Sequence, residues 1–431
     1  MHFLEYGVIK KKGKYRVALI YPQVYKAGNS NLGFIFVYNL VNEKKDFVCE
    51  RFFTDFTKSI ETNSVLRDFD ILAFSCSFEM DFFTVYEIAS QFPEKVKILG
   101  GRTSYNPFPL KKVIDYFFVG DAEESLPEFL KLYEEGGDLS AVEGVFKEGK
   151  AKARQSPLLY HPVYEPVQWG EYKEAFPRSF LLEISRGCSR KCKFCLVSHC
   201  VGRKRERPVD VIQSIIEKAE TCTKFETIVL IGPDSHSCIE DVIEVCKPYR
   251  VSLPSLRIES LSEGLLEGVA PETVTIAPET SERLRFNLGK SVTDGDILEK
   301  AALVSHYSKR MKLYFMVGLP GEKEEDLKGI VDLTKKIAKI IRTTVTVSPF
   351  VPKPHTPYAD FRYDTDLVEK SLKFLRKYMK FSGVSAQQGF IQWVLSIGDE
   401  GVGEYLKNRR YSAWKKIDTQ FKKEWESIDV S

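Results

Sequence analysis

This sequence predicts an α/β protein in two parts, an open parallel sheet and then a partial barrel of six β/α steps, closed by a helical extension. Three observations carry that. Short apolar runs of strand type alternate with helix-like runs almost from end to end. Several of the strand-like runs end in Gly or Gly-Asp, where a parallel sheet turns into a helix over a ligand site. The length, 431 residues, exceeds what one hydrophobic core usually holds, so two or three domains are expected.

Taken in order, the first unit spans residues 1–165. RVALIYP (16–22) is a buried strand and NLGFIFVYNLVNE (31–43) an apolar helix. ILAFSCS (71–77) is the next strand, followed by the helix DFFTVYEIASQF (81–92). VKILGG (96–101) and DYFFVGD (115–121) are further strands, and EESLPEFLKLYEE (123–135) is a helix. A short hairpin is expected around VEGVFKEGKAKARQ (142–155), then a Pro-containing connector, YHPVYEPVQW (160–169). The second unit, 166–363, offers six strands: SFLLEIS (179–185), TIVLIG (227–232), SLRIES (255–260), TVTIAP (273–278), MKLYFMVG (311–318) and TTVTVSP (343–349). Six steps make an incomplete barrel, since a closed one needs eight. Residues 364–431 read as a polar helical extension packed across the barrel.

Composition narrows the class. Hydrophobic residues are 43%, charged residues 29% and the net charge +3, which fits a soluble globular protein and makes no demand for nucleic acid or an anionic membrane. No apolar run reaches the length of a membrane span, and the first residues lack an apolar signal core, so the cytoplasm is the expected location.

Nine cysteines are present, and three crowd into SRGCSRKCKFC (185–195) as Cys188, Cys192 and Cys195. In a reducing compartment such a cluster points to metal or catalysis. Neighbouring Lys and Arg favour the thiolates. Thiolates at this spacing suit zinc or an iron–sulfur cluster. A structural zinc needs four ligands, and Cys200 or His199 is the available fourth. The scattered cysteines, Cys49, Cys76, Cys200, Cys222, Cys238 and Cys246, read mostly as small buried hydrophobes.

A CxxxCxFC loop after the first strand of a six-step β/α chain resembles the radical S-adenosylmethionine (radical SAM) superfamily. The resemblance implies a 4Fe–4S cluster on Cys188, Cys192 and Cys195, with the fourth iron left to chelate SAM, and reductive cleavage of SAM to a deoxyadenosyl radical. It also implies SAM contacts at the strand ends: Phe194 against the adenine; Gly232, Pro233 and Asp234 of IGPDSHS; Glu259 and Ser260 of RIES; Glu279, Arg283 and Arg285 of APETSERLR; Met316, Gly318 and Gly321 of MVGLPGE. Carboxylates suit ribose hydroxyls or ammonium, an arginine suits a carboxylate, and glycines admit the base. Plainer readings stand beside these: Glu279 as a helix cap, Arg283 or Arg285 as a surface ion pair, Phe194 as core.

YPQVYKAGNSNLGF (21–34), FSCS (74–77), LGG (99–101) and VGDAEESLPEF (119–129) resemble the Rossmann-like cobalamin-binding domain that precedes many radical SAM domains. With IAPETSERLR, FMVGLPGEKEEDL and VSPFVPKPHTPY, the chain is similar to the cobalamin-binding-domain radical SAM family over residues 14–410. That implies cobalamin contacts from Tyr25, Asn29, Ser75, Ser77, Gly100, Gly101, Gly120, Asp121 and Glu123. Many such domains carry D-x-H-x-x-G, whose His ligates cobalt. Here the Gly28–Gly33 loop has neither Asp nor His, so bound cobalamin is expected base-off, with Tyr21 or Tyr25 facing its lower side. The implied activity is methylation of an unactivated centre through the deoxyadenosyl radical and methylcobalamin, with an electron donor such as a flavodoxin or ferredoxin. The alternatives are a non-methylating rearrangement, an empty first domain, a zinc-stabilised nucleic-acid-binding module, and a methylthiotransferase. The last needs three further ligand cysteines, and only Cys49 and Cys76 precede Cys188. Thr346, Ser348 and His355 around the proline-rich VSPFVPKPHTPY either reach substrate or shape a crossover. His199 is a shield for the cluster or a surface residue. GRKRERP (202–208) reads as a solvated loop before it reads as an attractor of anionic substrate.

Overall fold

The computed structural model describes residues 3–172, 174–254 and 256–431. The first domain is built on a six-stranded sheet of β1 (Tyr15–Ile20), β2 (Phe47–Phe52), β3 (Ile71–Ser75), β4 (Val96–Gly100), β5 (Tyr116–Phe118) and β6 (Val145–Phe146). Their spatial order is β2-β1-β3-β4-β5-β6, parallel except for β6. The first five follow the doubly wound order of flavodoxin type, in which the chain changes direction between β1 and β3 and opens a crevice beyond their carboxyl ends. Both faces of the sheet are covered, which is why its strands read as unbroken apolar runs. Val17, Leu19, Ala73 and Ile98 pack toward the helices α1 (Leu32–Glu43) and α3 (Ala122–Glu135), and Ala18, Ile20, Leu72 and Phe74 toward α2 (Phe82–Ala89). Asn31 starts α1, its side chain accepting from the Phe34 N–H at 3.1 Å.

The expected hairpin at 142–155 does not form. β6 closes the sheet against β5, and Ala151–Lys152 instead pairs with Ile428–Asp429 from the far end of the chain.

The second domain holds two parallel triplets: β7 (Ser179–Glu183), β8 (Thr227–Ile231) and β9 (Arg250–Ser252), then β10 (Thr273–Glu279), β11 (Arg310–Val317) and β12 (Arg342–Pro349). Among the described residues no ladder joins β9 to β10. The third strand therefore lies ahead of the expected 255–260. Ser255 is outside the described residues, and Ile258–Ser260 form a 3-10 turn. Phe180, Leu182, Ile228 and Leu230 pack against the helix Val209–Cys222, while the alternate residues Leu181 and Val229 receive Leu32 and Phe36 of α1. The first domain thus sits directly on the strands that lead into the cysteine loop.

The C-terminal extension covers both domains rather than the barrel alone. The helix Ala386–Ile397 places Gln392 on Glu79 at 3.0 Å, and Asn106 donates to the carbonyls of Ser396 and Gly398 at 3.0 and 2.9 Å. Trp414 is buried against Phe83. Polar groups at the end of the first sheet would otherwise lack partners, and the tail supplies them. Among the described residues no helix is long and apolar enough to cross a membrane.

Candidate functional site

The cysteine loop hangs from a short antiparallel ladder in which Ser185–Arg186 pairs with Arg205–Glu206. Gly187 turns the chain out of the ladder with φ +77°, and a Cβ there would lie 2.5 Å from the Arg203 carbonyl, so no other residue fits. Cys188, Cys192 and Cys195 are partly exposed, whereas Cys49, Cys76, Cys200 and Cys246 are buried. The loop is held by its own backbone. Cys195 N–H donates to Cys192 O at 3.0 Å, Ser198 Oγ to Cys195 O at 3.0 Å, and Lys193 N–H to Leu288 O at 2.9 Å. Burial pushes the Cys192 thiol up, the nearby Lys290 ammonium pulls it back, and Cys195, Glu279 and Cys188 add to the rise. Three sulfur donors and a compensating cation therefore share one small region.

The proposed fourth zinc ligands do not join them. Cys200 is buried in the core, where burial pushes its thiol up to about 12, and His199 Nε2 is engaged with the Cys192 carbonyl at 3.1 Å. Among the described residues no three His, Cys, Asp or Glu side chains are placed to hold a single metal ion. The donor set, three half-exposed thiols and no fourth, fits a cluster whose thiolates bind different irons and leave one iron open.

Beside Cys188 lies an open basin of about 490 Å³ lined by Ser189, Arg190, Asp234, Arg257, Glu259 and Ser260, among others. Asp234 follows Gly232 and Pro233 at the end of β8. Burial opposes its ionisation, but hydrogen bonds from Ser189 (2.7 Å) and Arg257 (2.8 Å) outweigh that and hold its carboxyl below the usual range. Glu259 takes Arg190 and Arg257 at 3.3 and 3.4 Å. Phe194 and Met316 pack with Leu284, Leu288, Leu319 and Phe350, so the aromatic ring of the loop and the end of β11 share one apolar wall. Glu279 sits at φ +68° on a bulge of β10, with Lys290 on its carboxylate at 3.1 Å. The Gly318 N–H donates to Glu322 at 2.9 Å.

Arg285 is not at this basin. It is fully buried and spends its donors on the carbonyls of Pro278, Val292 and Thr280 and on Asp294, at 2.8–3.0 Å. It clamps the loop after β10, with all three guanidinium nitrogens engaged on groups of the protein itself. Arg283 is held by Asp326 and the Gly321 carbonyl. His355 Nε2 meets Tyr105 O at 3.0 Å beside Trp425, tying the proline-rich loop to the first domain, and Thr346 shares a 3.0 Å bond with Ser382. The run 202–208 is not a solvated loop: Arg207 is fully buried on Glu183 and three backbone carbonyls, and Arg205 reaches Asp121.

The principal cavity at the edge of the first sheet, about 520 Å³, opens at the carboxyl ends of β1, β3, β4 and β5. Ser75, Ser77, Gly100, Gly101, Gly120, Asp121 and Glu123 line its rim. Leu19, Ala73, Ile98, Phe118 and Leu126 make its apolar depth, and Glu183, Arg186 and Ile231 of the second domain form the opposite wall. Gly101 has its own reason to be glycine: at φ +114°, a Cβ would meet the Cys76 carbonyl at 2.2 Å. Tyr25 and Asn29 lie elsewhere. Tyr25 is buried among Phe3, Phe53, Phe56 and Tyr172 with its hydroxyl on Glu5. Asn29 bridges Pro166 O, Glu174 and the buried Arg51, which also binds Glu5 and Glu61. Their polar groups hold the connector to the sheet. Tyr21 stands behind Asn31, whose amide donates to its hydroxyl at 3.4 Å. Among the described residues no His lines the cavity. His161 is buried behind it, accepting from Glu183 N–H at 3.0 Å, with burial lowering its pKa to about 3.

Sheet, half-barrel and three-cysteine loop together define a radical SAM enzyme with a Rossmann-like partner domain. The sequence profile of the radical SAM superfamily matches residues 182–334, and that of the N-terminal part of radical SAM proteins matches residues 33–162. The chain belongs to this superfamily. It is 31% identical over 412 residues to the uncharacterised protein MJ0966 of Methanocaldococcus jannaschii, covering 90% of each chain. It is 23% identical over 283 residues to a tRNA-2-methylthio-N(6)-dimethylallyladenosine synthase of a Sulfurihydrogenibium species, covering 61% of this chain and 60% of the relative. Among solved structures, the radical SAM methyltransferase TsrM of Kitasatospora setae, with cobalamin and a 4Fe–4S cluster bound, aligns with a TM-score of 0.57 at 15% identity, covering 80% of this chain and 74% of that one. The cobalamin-dependent radical enzyme OxsB, with aqua-cobalamin and SAM bound, aligns with a TM-score of 0.58 at 14% identity, covering 88% of this chain and 66% of OxsB.

Proposed function

We propose that this chain is a cobalamin-dependent radical SAM methyltransferase acting on an unactivated centre. The observation that supports it most is a shared wall: Glu183 and Arg186 line the principal cavity and lead directly to Cys188. When bound, the cluster would supply the electron that cleaves SAM, and cobalamin would carry the methyl group. Cys188, Cys192 and Cys195 would hold the cluster. Asp234 and Glu259, which line the open basin, would receive the polar end of SAM, and Phe194 with Met316 would offer an apolar face for its base. The apolar depth of the principal cavity suits the corrin's nucleotide tail, and the carboxylates of Asp121 and Glu123 suit its peripheral amides. Among the described residues no His lines the cavity to ligate cobalt, and with the nucleotide tail lodged in the apolar depth the cofactor is expected base-off. The proline-rich loop and the C-terminal helices pack on the first domain through His355 on Tyr105 and Gln392 on Glu79. An external electron donor such as a flavodoxin or ferredoxin, and a cytoplasmic setting that keeps the thiols reduced, belong to the same reading.

The test is anaerobic reconstitution with cobalamin and SAM carrying an isotopic label in its methyl group. Labelled product supports methylation. Deoxyadenosine without label in the product supports the second reading, a non-methylating radical reaction. A methylthiotransferase is disfavoured: Cys49 and Cys76 are both buried, in β2 and beyond β3, and no third cysteine precedes Cys188.

A further inference from the structure

We propose that Arg186 is a positioning residue that couples the principal cavity to the cysteine loop, so that a corrinoid bound in the first domain alters the environment of the cluster in the second. This rests on the cofactor reading above. The guanidinium joins three carboxylates from two domains: Glu183 at 2.8 Å, Asp121 at 2.9 Å and Glu123 at 2.6 Å. It also lies over the Phe36 ring of α1 at 5.5 Å.

Its backbone is one rung of the ladder that carries the loop, and the facing rung is Arg205. Arg205 also binds Asp121, at 2.8 Å, and Arg207 binds Glu183 at 3.2 Å. Both arms of the loop's stem therefore end on one carboxylate of the cavity rim, and three cations balance three anions. Glu123 Oε1, though ion-paired, is buried without a well-directed hydrogen bond, so it keeps acceptor capacity. A ligand with peripheral amide N–H groups, such as a corrin, can meet that need. Binding there withdraws carboxylate from Arg186, and a close-packed ionic network answers by shifting its donors. The shift is delivered two residues from Cys188. Potentials of iron–sulfur clusters follow local charge, hydrogen bonding and solvent exposure, so the coupling is readable without turnover.

The experiment takes the full chain, reconstituted anaerobically, with hydroxocobalamin as probe. Corrin uptake is measured first by absorbance. The EPR spectrum of the reduced cluster and its midpoint potential then follow, with and without the probe. In the wild type both are expected to move when cobalamin binds. In Arg186→Gln, iron content stays at the wild-type level and the response disappears. Arg186→Lys restores part of it. Arg205→Gln, which cuts the second arm outside the cavity, halves it or more and serves if the Arg186 variants fold poorly. A wild-type cluster that ignores bound cobalamin, or an Arg186→Gln cluster that answers as the wild type does, overturns the coupling alone. No corrin uptake by the wild type overturns the cofactor reading itself.

Discussion

At the scale of single residues, burial decides what each charge or thiol can do. The three loop cysteines stay partly exposed, so replacing any one by Ala is expected to abolish cluster binding and SAM cleavage while leaving the far-UV circular dichroism unchanged. Iron and sulfide analysis beside the spectrum checks both halves. Arg285 is the opposite case. Arg285→Met leaves three buried carbonyls and a carboxylate without their donor and is expected to cost about 3–5 kcal/mol of stability in urea unfolding. The protein that remains folded binds SAM as the wild type does; a selective loss of SAM affinity at unchanged stability would contradict the assignment. Cysteine spacing made the three-thiol loop legible in the sequence, because a short-range pattern survives folding. Arg285 was misplaced because a sequence shows charge but not burial. Arg186 carried no signal as a coupling residue, since Glu183 three positions earlier reads as an ordinary local ion pair and its other two carboxylates, Asp121 and Glu123, lie in another domain.

At the scale of elements, length governed what could be read. Strands of five or more residues with a mostly buried run, such as β1, β3 and β8, stand out as apolar runs. β9 has three residues and β6 two, too few to show a period, so the third barrel strand was displaced and a hairpin was expected where β6 pairs with β5 instead. The connector between the domains adds a pH-dependent contact. Glu174 is tied to Asn29 at 2.6 Å, and burial, relieved in part by that bond, raises its pKa from 4.5 to about 7. The native state therefore holds a proton that the unfolded chain releases near 4.5. The stability that this proton provides is full below that pH and declines as pH rises from about 4.5 to about 7. Glu174→Gln is expected to melt at increasingly higher temperature than the wild type across this window, with the gain worth at most ~3 kcal/mol. A melting difference that is flat with pH would contradict it.

At the scale of the whole molecule, doubly wound strand order places the ligand crevice before any residue is considered, and α1 then presses that crevice against β7 and β8. The alternation of strands and helices foretold both domains. It did not foretell that the tail closes over the first domain, because the groups it satisfies, Asn106 and Glu79, are ordinary polar residues in sequence. If the cavity holds cobalamin base-off, the EPR spectrum of its cob(II)alamin form lacks nitrogen superhyperfine splitting; observing that splitting would place a nitrogen ligand on cobalt. The most direct test of the two-cofactor account is the stoichiometry of the anaerobically reconstituted chain under cobalamin titration. It should reach about four irons and about one corrin per chain, with deoxyadenosine released from SAM on reduction. A single metal ion fully ligated by protein, with neither corrin uptake nor deoxyadenosine, would contradict it.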